Sequence, residues 1–253
     1  MKIILSPAKK MRVDTDTLAP AGLPAYLKEA QTLLDWLRTK SYADLKTLWN
    51  CSDAIAEENC RRLASMDLKA QLTPAILSYE GIAYQYMAPA VFETGQYDYI
   101  QAHLRILSAF YGALSPMDGV TPYRLEMQAR ASVDGFKDLY AFWGEKLYRA
   151  VRDDSGIIVN LASKEYSKCI ERYLTSEDTY ITCHFVELAK NGNLAVKATY
   201  AKMARGEMVR FMAERGVEDP ETLKDFCALN YVFREDLSDA RNYFFERQTV
   251  EKA

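Results

Sequence analysis

The apolar positions of this chain fall into two periods, and the switch between them is clearest at residues 157–173, IIVNLASKEYSKCIERY. Ile157, Ile158 and Val159 form a short β-branched run behind Gly156, which reads as a buried strand. Asn160 to Ser163 makes a tight turn, and Ser163 is placed to cap the helix that follows. Tyr166, Cys169, Ile170 and Tyr173 then recur at i, i+3, i+4 and i+7, the apolar stripe of an amphipathic helix. Lys164, Lys168 and Arg172 fall every fourth position on another face. The same order opens the chain: a strand over 2–5, then Ser6-Pro7-Ala8-Lys9-Lys10, where proline stops the pairing.

Elsewhere the 3.6-residue period predicts helices over 26–38, with Leu27, Ala30, Leu34 and Leu37 inward, from Ser41 to Trp49, and from Ser52 or Asp53 to Met66. It also predicts a helix over 97–111 with Ile100, Leu104 and Leu107 inward, broken at Gly112, and another over 136–151 carrying Leu139, Trp143, Leu147 and Ala150. Residues 75–87 are ambiguous, with 75–77 readable as strand and a helix after Gly81. Residues 180–188 and 194–202 alternate as strands around Asn191-Gly192, a strong hairpin pair, and the second runs into a helix that ends near Ala213. Residues 231–234 and 243–247 read as a closing hairpin. The expected fold class is α/β (mixed α+β): one domain over 1–253, with a central mixed sheet flanked by helices and no linker long enough to divide it.

Composition narrows the functions. The 253 residues are 49% hydrophobic and 26% charged, ordinary for a globular chain able to bury a core unaided. A formal charge of −3 confines any nucleic-acid surface to a local basic patch. Five scattered cysteines form neither a disulfide framework nor a zinc spacing, and free thiols fit a reducing compartment. The opening apolar run is too short for a signal peptide, and none is long enough to span a bilayer, so a cytoplasmic location without membrane contact is expected. His103 and His184 have no visible second ligand, so no metal or other cofactor is expected.

Three stretches share one arrangement: SPAKK at 6–10, NLASKEYSK at 160–168 and YAKMARG at 200–206. Each puts Lys or Arg where an apolar strand gives way to a turn. If the strands lie in one sheet and point the same way, Ser6, Lys9, Asn160, Ser163, Lys164, Lys202 and Arg205 line one cleft of positive potential. Helix-terminal amides, ammonium points and guanidinium forks there suit a phosphate. The competing reading is an ordinary capped crossover helix with solvated lysines. Phosphate-binding glycine loops and GxSxG elbows are absent, and the carboxylates show no visible pairing for acid–base work. Cys169 and Cys183 sit on predicted apolar faces, where thiols are usually inert.

Six segments in order resemble the YaaA family of peroxide stress proteins: SPAK at 6–9, LRILSAFYGALSPMD at 104–118, PYRLEM at 122–127, KDLYAFWG at 137–144, NLASKEYSK at 160–168 and KMARGEMVRF at 202–211. The resemblance implies a single cytoplasmic domain of unusual architecture with a positively charged cleft. It further implies binding of DNA, preferentially irregular or branched duplex, through a helix–hairpin–helix element, and a role in limiting unincorporated iron under hydrogen peroxide stress. Within the matching motifs the cleft residues are Lys9, Arg124, Asn160, Ser163, Lys164, Lys168, Lys202 and Arg205, with Ser6 beside them. The helix–hairpin–helix falls on 104–127 with Gly112 in its hairpin, although such elements usually carry two glycines and this run has one. No obligate protein partner is implied. An enzyme acting on a phosphorylated small molecule or a nucleic-acid end in the same cleft is the alternative, and direct iron storage is the least supported reading.

Overall fold

A computed structural model describes residues 1–189 and 192–248. In chain order the elements are β1 (Lys2–Leu5), β2 (Lys10–Met11), α1 (Leu27–Arg38), α2 (Tyr42–Trp49), α3 (Asp53–Ser65), β3 (Thr73–Pro74), α4 (Ala75–Ser78), β4 (Tyr79–Glu80), α5 (Ile82–Met87) and α6 (Thr94–His103). There follow β5 (Leu104–Ser108), β6 (Gly112–Leu114), β7 (Gly119–Val120), α7 (Leu139–Trp143), α8 (Lys146–Val151), β8 (Ile157–Asn160) and α9 (Lys164–Glu171). The chain closes with β9 (Thr179–Leu188), β10 (Leu194–Ala195), α10 (Ala198–Arg215), β11 (Tyr231–Phe233) and β12 (Asn242–Arg247).

The main sheet runs β11-β12-β9-β8-β1-β5-β6, with β10 paired to β9. The pairs β12–β9, β9–β8, β8–β1 and β1–β5 are parallel, while β11, β10 and β6 add antiparallel at the margins. Ile3, Ile4, Leu104, Ile106, Leu107, Ile158 and Val159 are all buried. Successive strand residues point to opposite faces, so burial of consecutive residues means that both faces are covered. The fold is therefore the expected α/β arrangement around a central mixed sheet.

Several elements differ from the sequence pattern. The helix expected over 97–111 ends at His103, and residues 104–108 are a central strand. A short apolar run fits either period, and the place beside β1, where Ile3 pairs Leu104, decides it. The helix–hairpin–helix is thereby corrected: β5 and β6 are antiparallel strands, with Ile106 opposite Leu114. Gly112 serves packing there. Its φ of +80° suits glycine, and a Cβ would lie 2.8 Å from the Trp143 ring.

The helix expected over 136–151 is two helices, broken at Gly144, whose φ is +51°. Residues 75–78 form a helical turn. Only Leu194–Ala195 of the expected second hairpin strand is strand; helix begins at Ala198. The strands do pair, Leu194 opposite Leu188, but Asn191 of the expected turn lies outside the described residues. Among the described residues no helix is long and apolar enough to cross a membrane.

Candidate anion-binding cavity

β1 and β8 are adjacent and parallel, with Ile4 opposite Asn160, so both end at the same rim of the sheet. Beyond that rim the chain turns through Ser6 on one strand and Ser163 on the other. The Ser163 amide donates to Ser6 Oγ at 2.8 Å, and Ser6 Oγ donates to Ser163 Oγ at 3.2 Å. Ser163 is the residue preceding α9, as its sequence position suggested, but its side chain makes no capping bond to the helix. The two expected strand ends thus meet, stapled by a pair of serines.

The third cationic stretch arrives differently. Lys202 and Arg205 stand inside α10, not at a strand end. The helix is lined with Ala201, Ala204, Gly206, Met208 and Val209 on its buried side. Gly206 allows the closest approach: a Cβ there would lie 1.9 Å from the Ala83 carbonyl oxygen of α5. Gly81 does the same for the opening loop, since its Cβ would meet Ala8 Cβ at 2.8 Å. Small residues therefore draw α10, α5 and the Ser6–Lys10 loop together.

They enclose a cavity of about 400 Å³. Of the nine anticipated cleft residues, Ser6, Lys9, Arg124, Ser163, Lys202 and Arg205 line it, and Lys10 joins them. Asn160, Lys164 and Lys168 do not. Asn160 is buried, accepting from the Ala162 amide at 2.9 Å and donating to Thr182 Oγ1 at 3.3 Å, so it builds the turn. Lys164 and Lys168 lie exposed on α9, and Lys164 pairs with Glu171 at 2.5 Å.

Two guanidinium groups dominate the interior. The Nε–H of Arg124 and the Nε–H of Arg205 are both sealed from solvent without an acceptor. Arg124 resolves the ambiguity of its sequence position: its side chain is 11% exposed, with Glu126 at 3.7 Å. Among the described residues Arg205 faces no carboxylate within ion-pair distance; burial pulls it below its ordinary pKa, against the opposing effect of the Cys183 thiol beside it. Burial pushes that thiol up to about 12. An unpaired buried donor costs about 1–3 kcal/mol, more when charged; both side chains also line the cavity, where an anion would offset their charge.

Carboxylates share the space, and these were not anticipated. Lys9 pairs with Glu126 at 2.8 Å and Lys10 with Glu80 at 3.0 Å. Glu165 accepts from the Gln128 amide at 3.2 Å. Burial, reinforced by nearby Glu126, raises its pKa, while the Gln128 amide and Lys9 oppose the shift. Glu126 sits in PYRLEM and Glu165 beside Lys164, both inside motifs already singled out; the missing signal was their spatial pairing. The walls are aromatic: Tyr84 donates to the Ser6 carbonyl at 3.0 Å, and the Tyr123 hydroxyl meets Ser108 Oγ at 2.7 Å. Among the described residues no three His, Cys, Asp or Glu side chains converge as a metal cluster.

Comparison with known proteins agrees with this arrangement of motifs. The sequence profile of the family described as "Peroxide stress protein YaaA" matches residues 1–237. A "UPF0246 protein" of Agathobacter rectalis is 61% identical over 248 residues, covering 98% of this chain and 99% of that protein. A "UPF0246 protein" of Lachnoclostridium phytofermentans is 52% identical, covering 97% and 96%. One from Pediococcus pentosaceus is 51% identical over the full length of both chains. With its cavity-forming segments all inside the matched span, this chain belongs to the peroxide stress protein YaaA family.

Proposed function

We propose that the protein binds DNA through its phosphate backbone at the mouth of this cavity, as part of cytoplasmic defence against hydrogen peroxide, and thereby helps limit unincorporated iron. The observation that carries the reading is that the Arg124 and Arg205 side chains line one cavity, each with an Nε–H that has no partner among the described residues. Exposed Lys9, Lys10 and Lys202 surround them. Such contacts position a backbone without reading its bases, so the expected partner is duplex or branched DNA with weak sequence preference.

Titrating salt against single-stranded, duplex and junction DNA tests this. For duplex, each lysine contact removed should flatten the slope of log affinity against log salt by about 0.9. Lys202→Ala with Arg205→Gln should weaken binding and flatten that slope, whereas Lys164→Ala with Lys168→Ala, on the outer face of α9, should do less. Unchanged affinity and slope in the cavity variant overturns the reading. Peroxide-challenged cells carrying the same variant should accumulate unincorporated iron, as cells lacking the protein would.

A second reading has one observation in its favour. Glu165, half-buried and shifted toward its neutral form with Glu126 nearby, supplies the acid–base group that an enzyme acting on a phosphorylated small molecule or nucleic-acid end requires. Turnover of a phosphate ester that is lost in Glu165→Gln but not in Lys168→Ala would establish it.

A further inference from the structure

We infer that the interior of the cavity is a seat for the terminal phosphate monoester of a nucleotide, carried by a strand end or by a free mononucleotide. This rests on the reading of the cavity as a phosphate site and narrows its ligand.

Size comes first. A space of about 400 Å³ lies within the range that holds one small ligand, and a duplex, whose major groove alone is about 12 Å wide, cannot enter it. A backbone can cross the mouth, but only a single nucleotide unit or its end reaches Arg124 and Arg205.

Charge comes second. Five cationic side chains line the cavity (Lys9, Lys10, Arg124, Lys202 and Arg205) against three carboxylates (Glu80, Glu126 and Glu165), a formal surplus of two positive charges. Lys9 and Lys10 are engaged with Glu126 and Glu80 near the mouth. Glu126 is shared between Lys9 and Arg124, while Arg205 and Lys202 have no carboxylate partner among the described residues, and half-buried Glu165 lines the same space. An internal phosphodiester carries one negative charge and two free oxygens; a terminal monoester carries about −1.5 to −2 and three strong acceptor oxygens. The monoester's charge matches the surplus, and its third oxygen gives the two guanidinium forks a further acceptor.

The third argument is the wall. Tyr84, Tyr123 and Tyr166 stand beside Leu5, Leu125 and Leu161, an aromatic and apolar lining next to the cationic end. The hydroxyls of Tyr84 and Tyr123 are held by Ser6 and Ser108, which fixes their rings in place. A bare inorganic anion has no use for that surface, whereas the sugar and base behind a terminal phosphate do.

The experiment measures affinity by fluorescence anisotropy for one oligonucleotide bearing a 5′-hydroxyl, a 5′-phosphate or a 3′-phosphate, single-stranded and duplex. Titration calorimetry with AMP and adenosine forms a separate arm. The expected result is a preference for a phosphorylated end of roughly tenfold or more, and the same preference for AMP over adenosine. Arg205→Gln should reduce that ratio to near one. Lys202→Ala, an exposed site that folding should tolerate, should reduce it in part. Equal affinity for phosphorylated and hydroxyl ends in the unaltered protein overturns the inference, and if binding then still falls steeply with salt the backbone reading stands alone. A phosphate preference with affinity independent of strand length supports the seat and removes the backbone reading. Preference for AMP without preference for a phosphorylated strand end assigns the seat to the free mononucleotide.

Discussion

Arg205 and Glu165 are the charged groups of the cavity most affected by burial, and Glu165 carries a consequence for pH. The carboxyl of Glu165 is raised by burial, so it takes up a proton before an exposed glutamate would. As pH falls through that raised value the cavity loses one negative charge, near Glu126 and Lys9, and its affinity for an anion rises. With hydroxyl-ended DNA, whose backbone charge is constant near neutrality, binding should tighten on acidification; Glu165→Gln should bind tightly throughout and show a flatter profile. Anisotropy from pH 8 to pH 5 at constant ionic strength checks this.

Asp118 tests the same physics away from the cavity. Its carboxyl accepts from the Ser115 amide at 2.8 Å but is pushed up to about 6 by burial. A raised carboxylate pKa means that the folded state binds the proton first, so stability is gained as pH falls from about 6 toward 3.8 and is forgone above. Asp118→Asn keeps an acceptor and has no charge to bury. It should be more stable than the parent at pH 7, by on the order of 2 kcal/mol, with the advantage shrinking toward pH 4 in denaturant titrations.

Among the elements, α10 is the one whose placement matters most to the site. Glycine inside a helix ordinarily costs about 1 kcal/mol relative to alanine, so Gly206→Ala would be stabilising on an isolated helix. Here the added carbon meets a backbone carbonyl of α5, which cannot rotate aside. Gly206→Ala should therefore destabilise by about 1–3 kcal/mol and, by pushing α10 outward, weaken anion binding as well. A thermal melt and an affinity measurement on the same variant separate the two effects.

The element scale also shows where sequence patterns are informative. The strand–turn–helix of β8 and α9 was legible because its period changes sharply from two to 3.6 across Asn160–Ser163. Like grammar at the ends of β1 and β8 suggested a shared rim, but their pairing is visible only in the sheet itself. The strand at Leu104–Ser108 was not legible: its apolar spacing continues that of α6, and only a vacancy beside β1 distinguishes strand from helix. α10 was misread at its start for a related reason. Its alanines serve close helix packing, and such small residues leave a weak periodic signal. Of the cavity, the cations could be seen along the chain, but Glu80, Glu126 and Glu165 could not be paired with them without the three-dimensional arrangement.

For the whole molecule, the cavity is built from segments distant in sequence: the loop after β1, the α5 start, the 123–126 stretch, the β8–α9 turn and α10. An anion bridging them binds only the native state, so it should stabilise the complete fold. At a ligand concentration about a hundredfold above its dissociation constant the gain is about 2.7 kcal/mol. The expected outcome is a concentration-dependent rise in melting temperature with AMP or a phosphorylated oligonucleotide. That rise should be absent in Arg205→Gln and preserved in Lys168→Ala.

The serine staple between the first and eighth strands carries a consequence for synthesis of the chain. Ser6 leaves the ribosome early, and its counterpart Ser163 emerges only after four of the eight strands of the main sheet have been translated, with Arg205 later still. A nascent or truncated polypeptide that stops before Arg205 therefore has an incomplete cavity, and the proposed phosphate binding should appear only once that residue has been translated.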